Sequence, residues 1–212
     1  MLHKISITVT SAIIFLFCVA EKAAAQEQRF RAGVVLGLNL AQIHGDDVGG
    51  YNKFGLHGGL RAIAVLREKM DISFELLYAQ RGAFDKYGSP TCFNGRKVNI
   101  NLQYVEVPVL FSFKDWYIED KGFYRVQASA GFSYGRLINA TSQGSCHNDE
   151  TENFAVNDYS FTCGVEIFAT KRIGIGLRWT RSLNLLYDRD KHDPAKQSLR
   201  GYFVSMRGAY IF

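Results

Sequence analysis

Residues 201–212, GYFVSMRGAYIF, show the pattern on which the fold prediction rests. Every second position is apolar, aromatic or glycine, as in Tyr202, Val204, Met206, Gly208, Tyr210 and Phe212. The alternate positions are mixed and include one charge, Arg207. Successive side chains of a strand point to opposite faces, so this stretch predicts a strand with one apolar face. About 10 residues cross a bilayer as a tilted strand. An edge strand of a soluble sandwich shows the same pattern, so the rest of the chain has to decide.

The amino end predicts export from the cytoplasm. Residues 1–25 combine a positive charge at Lys4, an apolar run over residues 12–20 and an Ala-Ala-Ala cleavage site at 23–25. These are the parts of a secretory signal peptide, and they leave residues 26–212 as one domain. A retained anchor is the alternative, but the run is shorter than the 18 or so residues of a spanning helix. If residues 26–212 enter a membrane, they must do so as a closed sheet, because lipid offers no backbone hydrogen bonds.

The composition favours a sheet protein and argues against a nucleic-acid partner. The 212 residues include 27 Phe plus Tyr, 20 Gly and only 3 Pro. The formal net charge is +5, but charges of both signs are interspersed along the chain and form no basic run. Nucleic-acid binding of the usual kind needs a basic patch, so we expect no such partner.

Seven further segments alternate in the same way, at residues 30–43, 54–66, 70–80, 100–113, 124–137, 159–169 and 173–184. Their connections alternate between short or moderate (67–69, 114–122, 170–172) and long and polar (44–53, 82–97, 138–156, 186–199). This asymmetry predicts an all-β, eight-stranded antiparallel up-and-down transmembrane barrel with short periplasmic turns and long extracellular loops. Pro108 falls on an inner face and predicts a bulge or an interrupted ladder there.

The predicted inner face carries charges on most strands. They are five arginines and four carboxylates, namely Arg31, Arg61, Arg125, Arg178, Arg207, Asp71, Glu75, Glu106 and Glu166. Buried charges persist when they are paired, so a near balance of signs predicts a packed interior charge network. An open pore would not need that balance, and an eight-stranded barrel is narrow enough for side chains to fill.

Four phrases of the chain resemble one protein family. They are residues 37–40, GLNL; 74–83, FELLYAQRGA; 102–110, LQYVEVPVL; and 208–212, GAYIF. They are similar to the PorT-like outer-membrane β-barrel domain of Bacteroidetes-type bacteria, over essentially all of residues 26–212. The resemblance implies the fold, but a likeness at domain level does not carry a role over. The alternative role is an accessory subunit of an outer-membrane secretion or uptake assembly. It implies no catalytic residues.

Two cysteines are placed to form a disulfide. Cys92 and Cys146 both lie in long loops at the same end of the barrel, in an oxidising compartment. A Cys92–Cys146 bridge is therefore predicted, and two free thiols are the alternative. Cys163 falls on an apolar face and is expected to be an inert, lipid-facing thiol.

The sequence predicts no cofactor, no metal site and no catalysis. The acidic stretch 188–193 has interleaved Arg and Lys and lacks the pattern of a calcium loop. Gly174-Ile175-Gly176 lacks the third glycine of a nucleotide site. The less favoured alternative is a lipid-modifying enzyme built from His57 with Ser73 and Glu75. We expect a bacterial outer-membrane protein with a structural or interaction role. Its predicted partners are membrane lipid and other envelope or secretion proteins, which it meets through its loops or sides.

Overall fold

The computed structural model describes residues 29–44, 53–84, 99–143, 154–186 and 200–212. It contains eight strands: β1 Phe30–His44, β2 Lys53–Arg67, β3 Met70–Phe84, β4 Asn99–Ile118, β5 Phe123–Gln143, β6 Asn157–Phe168, β7 Ile173–Ser182 and β8 Arg200–Ile211. A 3-10 turn, Glu119–Lys121, joins β4 to β5. The chain divides into the units Met1–Phe30 and Arg31–Phe212. The predicted signal peptide, residues 1–25, lies outside the described residues.

The strands form a closed barrel in chain order. Each strand pairs with its neighbours in sequence, and β8 returns to pair antiparallel with β1, from Gly33 opposite Ile211 to His44 opposite Arg200. Closure gives both edges of every strand a partner, which removes the exposed edges that an open sheet would leave. The predicted all-β antiparallel up-and-down barrel is confirmed. No helix in the described part of the chain is long and apolar enough to cross a membrane.

The apolar face of the barrel points outward. On β8, Met206 is 60% exposed, whereas its neighbours Ser205 and Arg207 are buried inside. The same alternation holds on β7, where Ile175 and Leu177 are exposed and Arg178 is buried. A soluble barrel points its apolar face inward. The opposite arrangement here suits a wall that faces lipid, because apolar side chains then contact the acyl chains.

The connections define two ends of the barrel. We call the end with residues 68–69, 119–122 and 169–172 the short-turn end, and the opposite end the long-loop end. Most of the long loops lie outside the described residues. So do Cys92, Cys146 and the acidic stretch 188–193, and the disulfide stays a prediction. Cys163 is a free, partly exposed thiol on β6.

Several strands are longer than the sequence pattern predicted. β3 continues to Phe84 rather than Gln80, β4 continues to Ile118 rather than Phe113, and β6 begins at Asn157 rather than Tyr159. The predicted segments stop short of these residues. Three of the added residues, Arg81, Lys114 and Asp158, are charged and find partners across the interior.

The ladder between β3 and β4 is interrupted opposite Pro108. Phe74 pairs with Val109 and Leu77 pairs with Glu106, but the two positions between them do not pair. Proline has no backbone N–H to donate, which accounts for the gap. The β4–β5 ladder also shifts register at Gln103/Tyr104.

Two apolar clusters flank a polar centre. The cluster at the short-turn end contains Ile63, Phe168 and Ile211, with Phe123 packed against it. The cluster at the long-loop end contains Ile100, Leu102, Tyr104, Phe154 and Leu186. A third apolar cluster consists of Val35, Leu77 and Ala209. The buried ionisable groups described below share the interior with these clusters.

Candidate functional site

The middle of the barrel holds five charged side chains from five strands, which we call the central cluster. They are Arg61, Glu75, Glu166, Arg178 and Arg207, and all five are buried. Arg61 and Glu75 are directly opposite on β2 and β3, and Arg61 Nε donates to Glu75 Oε1 at 2.8 Å. Arg178 and Arg207 each donate from both of their terminal nitrogens to the same carboxylate. Glu75 is therefore the shared acceptor of three arginines.

Glu166 closes the central cluster from the other side of the barrel. Arg61 donates to it in a two-pronged bond, with Nη1–Oε2 and Nη2–Oε1 distances of 2.8 and 2.6 Å. Arg207 Nη2 lies 2.9 Å from Glu166 Oε1. Planar guanidinium groups match carboxylates in this geometry, and the bonds are stronger than those between neutral groups. The cluster thus ties β2 and β3 to β6, β7 and β8 through side chains alone.

Gly176 leaves the space that this network needs. It lies between Glu166 on β6 and Arg207 on β8 in the strand register. A Cβ at this position would meet Glu166 Cγ at 2.5 Å and the Val165 carbonyl oxygen at 2.6 Å. Real Cβ atoms do not approach other atoms so closely, so the Glu166 side chain can cross β7 only over a glycine. Gly176, one of the two glycines in the Gly174-Ile175-Gly176 motif, therefore has a structural role.

A second group of charges, the mouth cluster, lies nearer the long-loop end. It consists of Arg81, Glu106, Asp158 and Ser160, all buried. Arg81 Nε donates to Glu106 Oε1 at 2.8 Å, and Arg81 Nη1 donates to Asp158 Oδ2 at 2.5 Å. Ser160 Oγ donates to the same Asp158 oxygen at 2.9 Å. One arginine therefore holds two carboxylates.

The Arg81 guanidinium also lies against two aromatic rings. Its central carbon is 4.8 Å from the ring centre of Tyr104 and 4.2 Å from that of Phe203. A cation over aromatic faces is stabilised by the ring quadrupoles, more so when water is excluded. The cavity next to it, which Leu102 and Leu186 also line, has a volume of about 10 Å³. That is room for about one water molecule beside the guanidinium.

The buried charges of the described residues balance. Lys114 Nζ donates to Asp71 Oδ1 at 3.0 Å near the short-turn end. The central cluster has three cations and two anions, and the mouth cluster has one cation and two anions. With the Lys114–Asp71 pair, the described interior therefore holds five cations and five anions. Neither cluster is neutral alone, but their excess charges are opposite.

The structure places seven of the nine predicted interior charges inside the barrel. Arg31 and Arg125 are exposed instead, which corrects the predicted set. Arg31 precedes the first β1–β8 register pair, at Gly33, and Arg125 lies where the β4–β5 hairpin extends past the β5–β6 pairing, which ends at Val126. Both have the inward parity, but no facing strand encloses them. Arg125 contacts the Trp116 ring at 5.5 Å.

Sequence reasoning missed three interior charges, Arg81, Lys114 and Asp158. All three lie in the strand extensions described above. For Arg81, the sequence does contain a signal. The inward alternation continues without a break from Glu75 through Leu77 and Ala79 to Arg81.

The arrangement required by the enzyme alternative does not form among the described residues. His57 is buried opposite Ala79, and neither of its ring nitrogens has a hydrogen-bond partner there. Glu75 is occupied by three arginines and is not available to orient a histidine. In the described ranges, no group of three or more His, Cys, Asp or Glu side chains could hold a metal ion.

The chain matches one family model and is similar to several solved structures. Residues 24–188 match the model of a family described as the outer membrane protein β-barrel domain. Among solved structures, the attachment invasion locus protein Ail of Yersinia pestis is 10% identical with a TM-score of 0.47, over 86% of this chain and 98% of that one. Neisserial surface protein A is 10% identical with a TM-score of 0.46, over 86% and 97% of the two chains.

OprG from Pseudomonas aeruginosa is 9% identical with a TM-score of 0.40, over 86% of this chain and 94% of that one. No curated protein matches the chain.

Proposed function

The chain belongs to the outer membrane protein β-barrel domain family, and we propose that it is a non-enzymatic barrel with a filled interior. It resides in the bacterial outer membrane. In this proposal the barrel is a rigid support, and its work is done at its surface, by the long loops or by contact with other envelope proteins. The filled interior carries the proposal, because a pore or an internal active site would need space that the side chains occupy.

Two layers support the filled interior. In the centre, Arg61 and Arg207 reach Glu166 while Arg178 reaches Glu75, so paired side chains cross the lumen. At the mouth, Arg81 lies between Tyr104 and Phe203. An ion passing through would have to displace charge-assisted hydrogen bonds in a water-poor interior, where each charge left unpaired costs several kcal/mol.

Planar-bilayer recording of the purified protein tests this proposal. We expect no stable conductance steps from the native protein, after insertion has been verified by its faster gel migration before heating. The Arg81→Ala/Phe203→Ala variant removes two of the side chains that fill the mouth and should show more frequent openings. Arg125→Ala, a change outside the barrel lumen, is the control and should remain silent. Large, steady, reproducible steps from the native protein would show that the interior is open.

The alternative role, an accessory subunit of a secretion or uptake assembly, depends on the resemblance to the PorT-like family. The most specific phrase, residues 102–110, contributes Glu106 to the mouth cluster and the Tyr104 ring that packs against Arg81. Because these residues face inward, their resemblance to the PorT-like family supports a similar barrel interior more directly than a common binding partner. Co-purification of the tagged protein from native membranes distinguishes the roles, because an accessory subunit should bring a partner in fixed stoichiometry.

A further inference from the structure

At the long-loop end, strands β3, β4 and β5 extend farther from the short-turn end than β6 does. β4 and β5 pair as far as Gln143, whereas β6 pairs with β5 only up to Arg136. The last backbone hydrogen bond on that side of β5 joins Leu137 N to the Val156 carbonyl, at 2.8 Å. On the other side of the pair, β3 follows β4 up to Phe84. A three-stranded sheet of residues 80–84, 99–103 and 138–143 therefore stands above the end of β6.

The outer face of this sheet carries amides and a hydroxyl in two rows. The strand register places Gln103 between Gln80 and Asn139 in the first row, and Asn101 opposite Thr141 in the second. Residues that are directly opposite on neighbouring strands share a face of the sheet. That face is the outer one here, because the alternate residues of β4 are buried inside the barrel. We call these five residues the amide face.

Four side chains of the amide face are available to a ligand. Asn139 and Thr141 are exposed, and Asn101 and Gln103 are partly exposed. None of the four makes a side-chain hydrogen bond to another residue that the structure describes. Amides without partners are costly in hydrocarbon, so the amide face lies beyond the acyl chains. Long loops of outer-membrane barrels are extracellular, which places this face on the outer side of the membrane.

The fifth side chain, Gln80, is held in a fixed orientation. Its Oε1 accepts from the Leu56 N–H at 3.1 Å, and its Nε2 donates to Tyr78 Oη at 3.0 Å. A second amide hydrogen of Gln80 and the hydroxyl hydrogen of Tyr78 remain for a ligand. Tyr78 is 36% exposed, so its ring also offers a flat apolar surface beside the amides. Groups that are already ordered lose less conformational entropy when they bind.

The amide face carries no charge. The first charged residue on the outer face of these three strands is Arg136, in the row formed with Tyr78 and Val105. Above that row no outward residue is charged, so the face offers no ion pair to an acidic or basic partner. Amide groups both donate and accept hydrogen bonds, and the hydroxyl groups of sugars do the same. Three strands span about 10 Å, a width that suits a short oligosaccharide better than a single sugar.

We propose that the amide face binds a neutral oligosaccharide at the cell exterior. Gln103 and Asn139, which are opposite each other in the first row, bind the hydroxyls of one sugar. Asn101 and Thr141 bind those of the next sugar, and the Tyr78 ring packs against the apolar side of a sugar ring. The proposal concerns the outer face of the sheet and is independent of whether the interior conducts.

A glycan array probed with the purified protein in detergent micelles tests the proposal. The probes are neutral oligomers of glucose, mannose and galactose, uronic acid oligomers of the same lengths, and lipopolysaccharide. We expect at least one neutral series to bind more tightly than the uronic acid oligomers and the lipopolysaccharide. Isothermal titration calorimetry then measures the affinity for the best neutral probe. Gln103→Ala/Asn139→Ala should lower that affinity about tenfold or more, because it removes several hydrogen bonds. Asp115→Ala, an exposed change at the short-turn end, should leave it unchanged.

Four results would overturn the proposal. They are no binding to any neutral oligosaccharide, equal affinity of the native protein and the double variant, an equal loss with Asp115→Ala, or tighter binding of lipopolysaccharide than of the neutral oligomers. The double variant should fold, because neither side chain has a hydrogen-bond partner among the described residues, and gel mobility before and after heating would show it. If it does not, Asn139→Asp, which replaces the amide donor with a charge, should weaken binding several-fold. Unchanged binding in that variant would contradict the proposal equally.

Discussion

The central cluster and the mouth cluster both pair buried charges, but cations are in excess in one and anions in the other. In the centre, Arg61, Arg178 and Arg207 surround Glu75 and Glu166, so cations are in excess. At the mouth, one arginine serves two carboxylates and also packs on two aromatic rings. The centre is held by many ion pairs from five strands, whereas the mouth depends on one side chain. Among the buried residues that the structure describes, the charges therefore balance only when both clusters are counted together.

Removal of a charge should also change the stability of the protein differently in the two clusters. An arginine cannot lose its proton at accessible pH, so a central arginine that has lost its partner stays charged. A carboxylate can take up a proton and become neutral. Loss of an anion in the centre should therefore cost more than loss of the cation at the mouth.

Glu75→Ala should have the largest effect. It removes the shared acceptor of three buried arginines, and breaking a buried ion pair costs about 3–5 kcal/mol. We expect a loss at the upper end of that range in the free energy of unfolding, measured by urea titration of protein folded in phospholipid vesicles. Asp115→Ala is the matched control, because Asp115 lies 3.9 Å from Lys69 on the surface with both side chains exposed. Its effect should be under about 1 kcal/mol.

Removal of Arg178 in the Glu75→Ala background sharpens this test. The Glu75→Ala/Arg178→Met variant restores the overall charge balance and should recover part of the lost stability. If the double variant is as unstable as the sum of the two single variants, the arginines are not coupled through Glu75.

Arg81→Met should have the second largest effect, about 3 kcal/mol at neutral pH, because it leaves Glu106 and Asp158 without their cation. A buried carboxylate left without its cation can be neutralised by a proton, so the stability of Arg81→Met should recover relative to the native protein between about pH 7 and pH 5. Glu75→Ala should show no such recovery in that range, because the carboxylate that it removes stays ionised there in the native protein. Arg125→Met should cost under about 1 kcal/mol. Parallel pH profiles for Arg81→Met and Glu75→Ala would refute the distinction between the clusters.

Gly176→Ala should have the smallest of the three effects, about 1–3 kcal/mol from overpacking. The added methyl would lie against Glu166 Cγ and the Val165 carbonyl and displace the carboxylate from Arg61. Gly208→Ala is the control, because a Cβ there meets only the Leu36 carbonyl oxygen at 3.8 Å. Thermal unfolding followed by gel mobility compares the two variants. Equal midpoints would show that Glu166 does not need the space above Gly176.

The alternation of side chains was enough to predict most of the barrel and much of its interior. Arg61, Glu75 and Arg178 were assigned to the inner face because the period of a strand is two residues, whatever its neighbours are. Errors arose at strand ends. Arg81 and Asp158 lie just outside the predicted strands, while Arg31 and Arg125 belong to the predicted interior set, because alternation does not show where a strand or its facing strand stops.

The sequence by itself determined the strand count, the antiparallel order and the face on which each side chain lies, because these depend on local periodicity and connection length. Only the tertiary structure decided which charges meet. Arg61 and Glu166 are 105 residues apart, and Arg207 and Glu75 are 132 apart, so closure of the barrel alone makes them neighbours. Closure also sets the rim that excludes Arg31 and Arg125, and it makes one neutral interior from two clusters of opposite excess charge.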